Sequence, residues 1–361
     1  MGMSKRKVTV LGGGNGGRTA AAEFGLGGHE VTLYEVPQFA AGLDAIARAG
    51  HIVAHGEIQG TAPVRVEADL ANAVAGSDVV FVVVPTNHHR AFARMLAPLL
   101  TDGANVVLMP GSLGSLEVAQ HLNADVTVSE IAALPYATRI TGPTEVTVFG
   151  LRRIVSVGTF PAQRTDRVAA ILDDLYPGID VMPNVLAAGL SNPNPTLHCL
   201  GVLLSASRIE YSHGEFYYYE EGMTPHVCQA IEAIDAERLA IGAAFGIDLL
   251  SLIDTYPVMG YGPQGDSFWS VIRGVAALHG IKGPSQVDSR YLTEDVPVGL
   301  TIYSQLGRQA GTEPVLMESV INLTSALLGT DFAEDRRTLE RCGLAGMDRD
   351  AILEYVTTGA R

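Results

Sequence analysis

The chain has 361 residues, 47% of them apolar, with 24 Lys and Arg against 39 Asp and Glu for a formal net charge of −15. That length and apolar share suit two domains with separate cores, and the acidity makes nucleic acid and anionic membrane surfaces poor partners. The three cysteines, Cys199, Cys228 and Cys342, form no C-x-x-C pair, so neither a zinc knuckle nor a disulfide scaffold is indicated, and no metal site is expected.

In chain order, Lys7–Gly12 is a short β-rich run ending in glycines, and Asn15 to about Gly25 reads as a helix that stops at GLGG. His29–Glu35 is a second strand, and Gln38 to Ala49 is helical in pattern. Ser77–Pro85 and Ala104–Gly111 are continuous apolar runs, as expected of strands buried on both faces of a parallel sheet. His88–Leu100 reads as a surface-patterned helix, and a further helix is placed around Ser115–Leu122. VTVSE, VTVFG and RIVSVGTF add strands up to Thr159, a helix follows over Ala162–Tyr176, and a short strand near Ile179–Met182 closes this half. Alternating strands and helices imply an α/β, doubly wound parallel sheet of Rossmann type. From about Asn184 long helical patterns take over, such as Pro225–Phe245 with the stripe Ile231, Ile234, Leu239 and Ile241, and Val315–Leu328. The expected organisation is a dinucleotide-binding domain over 1–184 and an all-α substrate and catalytic domain over 185–361.

No apolar run approaches the ~20 residues of a membrane span. The start MGMSKRK leads into no signal-type apolar segment, and Gly2 opens no myristoylation signal because position 6 is Arg. A cytoplasmic protein is the expectation.

Gly12, Gly14 and Gly17 form a G-x-G-x-x-G match between a strand and a helix, the context that gives this pattern its meaning. Gly12 suits the tight turn, Gly14 the close approach of a pyrophosphate, and Gly17 the packing of helix on sheet. Asn15 opens the helix whose N-terminus would face the phosphates. Glu35 ends the second strand 21 residues beyond Gly14, where a carboxylate takes the adenosine ribose 2′-OH and repels a 2′-phosphate. NADH is therefore the expected cofactor, with NADP left open. Arg18 is read as a surface residue.

A nicotinamide enzyme needs a proton donor beside the reacting carbon, and histidine suits that work. Among ten histidines, His198 stands apart in LSNPNPTLHCL, with Asn192 and Asn194 bringing polarity to an apolar stretch. In RYLTEDV, Arg290 can grip a carboxylate with two N–H groups, and Asp295 or Glu294 can orient a histidine ring. Lysine is scarce: Lys282 is the only one beyond residue 7.

These pieces resemble the opine dehydrogenases, the octopine, nopaline and N-(carboxyethyl)norvaline dehydrogenase family, over nearly the whole chain. The resemblance rests on GGGNGG, on VVP with Pro85 beside the cofactor, and on NPNPTLH with His198. YYYEEGMTP, IDAERLAI, RYLTEDVPVGL and the tail TDFAEDRRTLERCGL also match. It implies NAD(P)H-dependent reductive condensation of an amino acid with a 2-oxo acid such as pyruvate, on a helical domain like that of 6-phosphogluconate dehydrogenase. His198 and Asp295 would be the catalytic pair, Arg290 would hold the 2-oxo acid, and Asn194 would line the substrate site. Cys199 departs from the pattern, since relatives are expected to carry proline there. The substrate wall is expected among Tyr217, Tyr218, Tyr219, Glu220, Glu221 and Met223, and a homodimer is a further expectation. The competing readings are a 2-hydroxyacid or polyol-phosphate dehydrogenase, which would need a catalytic lysine and so Lys282, and a non-catalytic NAD-binding sensor.

Overall fold

The computed structural model describes residues 4–360; Gly2 lies outside them. Contacts divide the chain into one compact unit up to Gly189, joined by the C-terminal residues from Val356, and a second unit over Leu190–Tyr355. The border read from sequence at 184 precedes the short helix Val185–Leu190, most of which groups with the first unit.

The first unit is built on an eight-stranded sheet. Its strands are β1 (Lys7–Leu11), β2 (Glu30–Tyr34), β5 (Arg65–Val66), β6 (Val79–Val82), β7 (Asn105–Leu108), β8 (Thr127–Ile131), β11 (Ser156–Phe160) and β12 (Asp180–Val181). They lie in the order β12-β11-β8-β7-β6-β1-β2-β5. Every neighbouring pair is parallel except β8 with β11. The continuous apolar runs have a simple cause. Val79, Phe81 and Val83 pack into one core and Val80 and Val82 into another, so β6 buries both faces with period two. Phe24 from the helix Asn15–Leu26 packs on Phe81 at 5.0 Å between ring centroids, and Tyr176 closes the group edge-on at 5.3 Å from Phe24.

A second sheet of four strands was not anticipated. It comprises β3 (His51–Gly56), β4 (Gly60–Pro63), β9 (Tyr136–Gly142) and β10 (Glu145–Leu151), in the order β4-β3-β10-β9. VTVFG, read as a strand, belongs here rather than to the parallel sheet. His51–Gly56 buries only Ile52 and Ala54, so its apolar pattern is too short to stand out. His89, read as surface, is fully buried in the helix His89–Leu96.

The second unit is helical. Its longest helix, Pro225–Ala244, begins with the side chain of Thr224 accepting from the Val227 N–H and with proline in the first turn. It buries Ile231, Ile234 and Ile241, while Leu239 is only half-buried. Arg238 is buried in its place. That guanidinium bonds the Asp235 carboxylate at 2.7 Å and donates to the carbonyls of Leu190 at 2.9 Å and Leu250 at 2.7 Å. The second Asp235 oxygen accepts from the Leu252 N–H. The conspicuous IDAERLAI motif is thus a satisfied internal ion pair that pins two loops to the helix. Among the described residues no helix is long and apolar enough to cross a membrane, and no group of three or more His, Cys, Asp or Glu could hold a metal ion.

Candidate active site

The glycine loop has the geometry a dinucleotide requires. Gly12 sits at φ +113°, and a Cβ there would lie 2.3 Å from the Val83 carbonyl oxygen. A Cβ on Gly17 would lie 1.8 Å from the Gly12 carbonyl oxygen. Gly14 differs: it is exposed, and a Cβ there would meet nothing within 4 Å. Two glycines are therefore demanded by the fold, and the third leaves open the side of the loop from which a phosphate approaches. Asn15 and Pro85 are exposed, and the Asn15 side-chain oxygen accepts from the Ile140 N–H at 2.8 Å, tying the start of the helix to β9.

Glu35 binds the same loop. One carboxylate oxygen accepts from the Gly13 N–H at 2.7 Å and the other from the Val36 N–H at 2.8 Å. Each oxygen keeps a second lone pair, so the carboxylate is held in place with capacity for a ribose hydroxyl. Arg18 is not a surface residue. It is buried, and it donates to the carbonyls of Gly13 at 2.8 Å, Gly42 at 2.7 Å and Pro143 at 3.2 Å. Burial pushes its pKa down, partly offset by Glu35. Arg18 braces the loop from behind, with its donors spent on carbonyls. These residues fit a bound NAD or NADP.

The second unit gathers the other candidates. His198 lies in the helix Asn194–Leu204, whose first turn carries Pro195. Asn192 is buried and its side-chain oxygen accepts from the Asn194 N–H at 3.1 Å, while Asn194 itself is half-buried at the start of the helix. His198 and Asp295 are both buried, and Nδ1 lies 2.8 Å from Asp295 Oδ2. Of the two carboxylates that spacing left equal, Asp295 faces the histidine and Glu294 lies 3.8 Å from the Arg290 guanidinium. Arg290 is exposed and starts the short helix Arg290–Thr293. Partial burial disfavours its cation, but Glu294, then Tyr291 and Asp295, outweigh that and raise its pKa.

Two side chains meet the His198 ring that the sequence did not pair with it: Tyr219, expected only as part of the substrate wall, and Tyr291, not singled out at all. The Tyr219 hydroxyl lies 3.2 Å from His198 Nε2, and the Tyr291 ring stacks on the imidazole at 4.2 Å. Tyr218 donates to the His198 carbonyl at 3.1 Å. Of the expected wall, Tyr218, Tyr219 and Met223 are buried, Glu220 is half-buried, and Tyr217 and Glu221 are exposed. Tyr219 and Asp295 reach the ring from two wide turns of π-helical type, Tyr218–Gly222 and Val296–Leu300, the second capped by Asp295 itself. Such turns widen the backbone and re-aim side chains. The aromatic run at 217–219 is the one signal that could have named Tyr219. The Cys199 thiol faces the Tyr291 carbonyl at 3.5 Å, and burial, with Asp295, holds its pKa well above the usual range. It packs the site as an inert thiol. Lys282 is elsewhere: exposed, paired with Glu215 and lying 5.5 Å from the Tyr217 ring, with its pKa raised chiefly by that carboxylate. A lysine so held is a poor neutral base.

Comparison with known proteins bears on the family and the fold. Residues 181–328 match a family profile described as NAD/NADP octopine/nopaline dehydrogenase, alpha-helical domain. Residues 7–145 match that of the NAD-dependent glycerol-3-phosphate dehydrogenase N-terminus. An opine dehydrogenase of Arthrobacter sp. (strain 1C) is 34% identical over 98% of this chain and 99% of its own. The protein ocs of Agrobacterium tumefaciens (strain Ach5) is 27% identical over 96% of this chain and 98% of its own. Among solved structures, an octopine dehydrogenase in complex with NADH and agmatine superposes with a TM-score of 0.76 at 20% identity, covering 99% of both chains. At that identity the likeness speaks for the fold: a Rossmann-type parallel sheet followed by a helical domain. A ketopantoate reductase from Ralstonia eutropha JMP134 shares the fold less fully, with a TM-score of 0.60. The chain belongs to the opine dehydrogenases, a family of NAD- or NADP-dependent oxidoreductases.

Proposed function

We propose that the protein condenses the amino group of an amino acid with a 2-oxo acid such as pyruvate and reduces the product to an N-(carboxyalkyl) amino acid, and runs the reverse oxidation. The observation that carries this reading is the buried His198–Asp295 pair, 2.8 Å between Nδ1 and Oδ2, with Arg290 five residues before Asp295, in a chain of this family. Gly12, Gly14, Asn15, Gly17, Glu35 and Pro85 form the dinucleotide site within 1–184, and 185–361 supplies the substrate site. A reduced nicotinamide bound there supplies the hydride.

The chain's own groups do the rest. Asp295 fixes the imidazole so that Nδ1–H points to the carboxylate and Nε2 is the working nitrogen, and it stabilises the cation that forms when Nε2 is protonated. Arg290 holds the carboxylate of the 2-oxo acid through paired N–H groups, which sets the face presented. Asn194 supplies a polar contact at the mouth of the helix. The amine attacks as the free base, a carbon–nitrogen bond forms, and the carbonyl oxygen collects a proton from His198. The neutral imidazole then takes a proton from the new ammonium nitrogen and returns it to the hydroxyl, which leaves as water while the freed nitrogen lone pair closes the C=N bond, the bond a reduced nicotinamide would reduce.

Glu35 selects NADH, because a 2′-phosphate beside its carboxylate meets repulsion worth more than ~1.4 kcal/mol, about tenfold. We place the enzyme in the cytoplasm, in keeping with three buried free thiols. We assign it a homodimer through the helix Val315–Leu328, which exposes Val315, Leu316, Leu323 and Leu327. The test is NADH and NADPH oxidation by the purified protein with pyruvate, oxaloacetate and 2-oxoglutarate against twenty amino acids. Amine-dependent turnover with NADH at least tenfold ahead in kcat/KM is expected. Amine-independent reduction of the oxo acid would point to a hydroxyacid dehydrogenase, and NADH binding without turnover to a sensor.

A further inference from the structure

Both ring nitrogens of His198 are engaged by the protein. Nδ1 faces Asp295 at 2.8 Å and Nε2 faces the Tyr219 hydroxyl at 3.2 Å. His198 and Tyr219 are each 6% exposed. The nitrogen assigned above to substrate chemistry therefore meets a phenol first. The phenol and the imidazole it faces are each packed by a second tyrosine ring. The Tyr218 ring meets Tyr219 edge-on at 5.0 Å between centroids, and Tyr218 is anchored by its bond to the His198 carbonyl. The wide turn Tyr218–Gly222 carries the ring inward, and Tyr291 stacks on the imidazole itself at 4.2 Å.

We propose that Tyr219 is a proton relay: its hydroxyl, rather than His198 Nε2, delivers the proton to the substrate oxygen, taking the imidazolium proton in the same movement. The inference rests on His198 being the acid and base. The balance is simple. In the carbinolamine formed by the amine and the 2-oxo acid, the C–OH oxygen leaves with the C–O electron pair. It takes the Tyr219 hydroxyl proton and departs as water. The phenol oxygen takes the Nε2 proton, so Tyr219 ends as it began. The imidazole is left neutral, with Nδ1–H still on Asp295. The nitrogen lone pair of the former amine makes the C=N bond. In the reverse direction each proton retraces its path.

Three features suit a relay. A phenol is both donor and acceptor, as handing on a proton requires. Burial keeps Tyr219 protonated, with Tyr291, Tyr256 and Tyr218 adding to the rise in its pKa, so it carries no charge of its own. The Arg290 cation acts on Tyr219 in the opposite sense and favours negative charge there. It therefore eases the passing build-up of charge on the phenol oxygen. The other titratable groups around the pair are Asp295, Glu294, Cys199 and Tyr218, and none of them touches Nε2 among the described contacts.

The test uses Tyr219→Phe in the full-length enzyme, with His198→Ala alongside. A relay predicts a 10–100-fold fall in kcat for Tyr219→Phe. The Kd for NADH and the KM for the 2-oxo acid should stay within about twofold and threefold of wild type. A merely structural wall predicts near-normal kcat with a raised KM or a lowered Tm, and that result overturns the proposal. Full activity in His198→Ala would instead overturn the reading beneath it, so the two failures are distinguishable. Replacing Tyr219 with 3,5-difluorotyrosine guards against a folding defect, because it keeps the ring and hydroxyl while making the phenol more acidic. At a fixed pH kcat should then differ from wild type by more than about twofold while the NADH Kd does not. An unchanged kcat overturns the relay.

Discussion

The glycine loop and the histidine site write function in opposite ways. At the loop it is written in missing side chains: a Cβ on Gly17 has no room beside the Gly12 carbonyl, and the space over Gly14 is open. At His198 it is written in side chains that touch, with both ring nitrogens engaged and a tyrosine stacked on the ring. The two sites should therefore fail differently. Adding atoms to the loop should break structure and cofactor binding together. Trimming atoms around His198 should break chemistry and leave the cofactor bound.

The largest effect is expected at the histidine. His198→Ala should lower kcat by about 10²–10⁴, the usual worth of a positioned proton-transfer group, with the NADH Kd unchanged by fluorescence titration. Asp295→Asn should also lower kcat by misorienting the ring, and the protein should stay folded. If His198→Ala turns over normally and only loses Tm, His198 is a core residue and the contrast collapses.

Next comes the loop. Gly17→Ala places a methyl 1.8 Å from the Gly12 carbonyl oxygen, so backbone must move. Overpacking of that kind costs ~1–3 kcal/mol or more. The NADH Kd should rise at least tenfold and Tm should fall, whereas Gly14→Ala should leave Tm close to wild type and act on NADH alone. Equal losses of Tm in the two variants would show that Gly14 is also a structural glycine.

The same contrast explains what could be read from sequence. The loop was legible because its signal is local: three glycines within six residues, after a strand whose two faces are both buried. The parallel sheet was legible for the second of those reasons. The four-stranded sheet was not, because its strands bury only one or two residues each and leave no run to notice. The His198 partner was half legible. The two carboxylates lie 96 and 97 residues away in sequence, and only the wide turn at Val296–Leu300 turns Asp295 toward the ring and Glu294 toward Arg290. Arg18 misled because arginine is rarely buried; here three loop carbonyls satisfy it. IDAERLAI misled in the other direction, since a motif that marks the family proves to hold a structural ion pair, Asp235–Arg238.

A smaller effect should follow at Arg290. Arg290→Lys keeps the charge and loses the paired N–H groups, so the KM for the 2-oxo acid should rise about tenfold, ~1.4 kcal/mol. The KM for the amino acid should move less in steady-state kinetics. Equal changes in both would remove Arg290 from the oxo-acid site and leave it the partner of Glu294.

The smallest effect lies in the first unit and asks whether its core, unlike its loop, carries a chemical signal. Glu23 on the loop's own helix accepts from the Tyr136 hydroxyl at 2.5 Å, and Tyr136 in turn lies 2.6 Å from the Tyr176 hydroxyl. Burial pushes the Glu23 pKa up to about 7, only partly offset by the Tyr136 hydrogen bond. The folded state therefore binds this proton more tightly than the unfolded chain. Its contribution to stability is complete below the ordinary carboxylate range and is lost as pH rises through 7. The half-exposed rim of the side chain tempers the size, so a loss of about 1–2 kcal/mol between pH 5 and pH 8 is expected. Glu23→Gln carries no such proton. Urea unfolding at the two pH values should show a smaller fall in stability for the variant than for wild type. An equal fall in both would assign the pH dependence to a group other than Glu23, and His29, whose pKa burial lowers, is not that group. That histidine works with the opposite sign, gaining stability as pH rises, so it cannot produce the same slope.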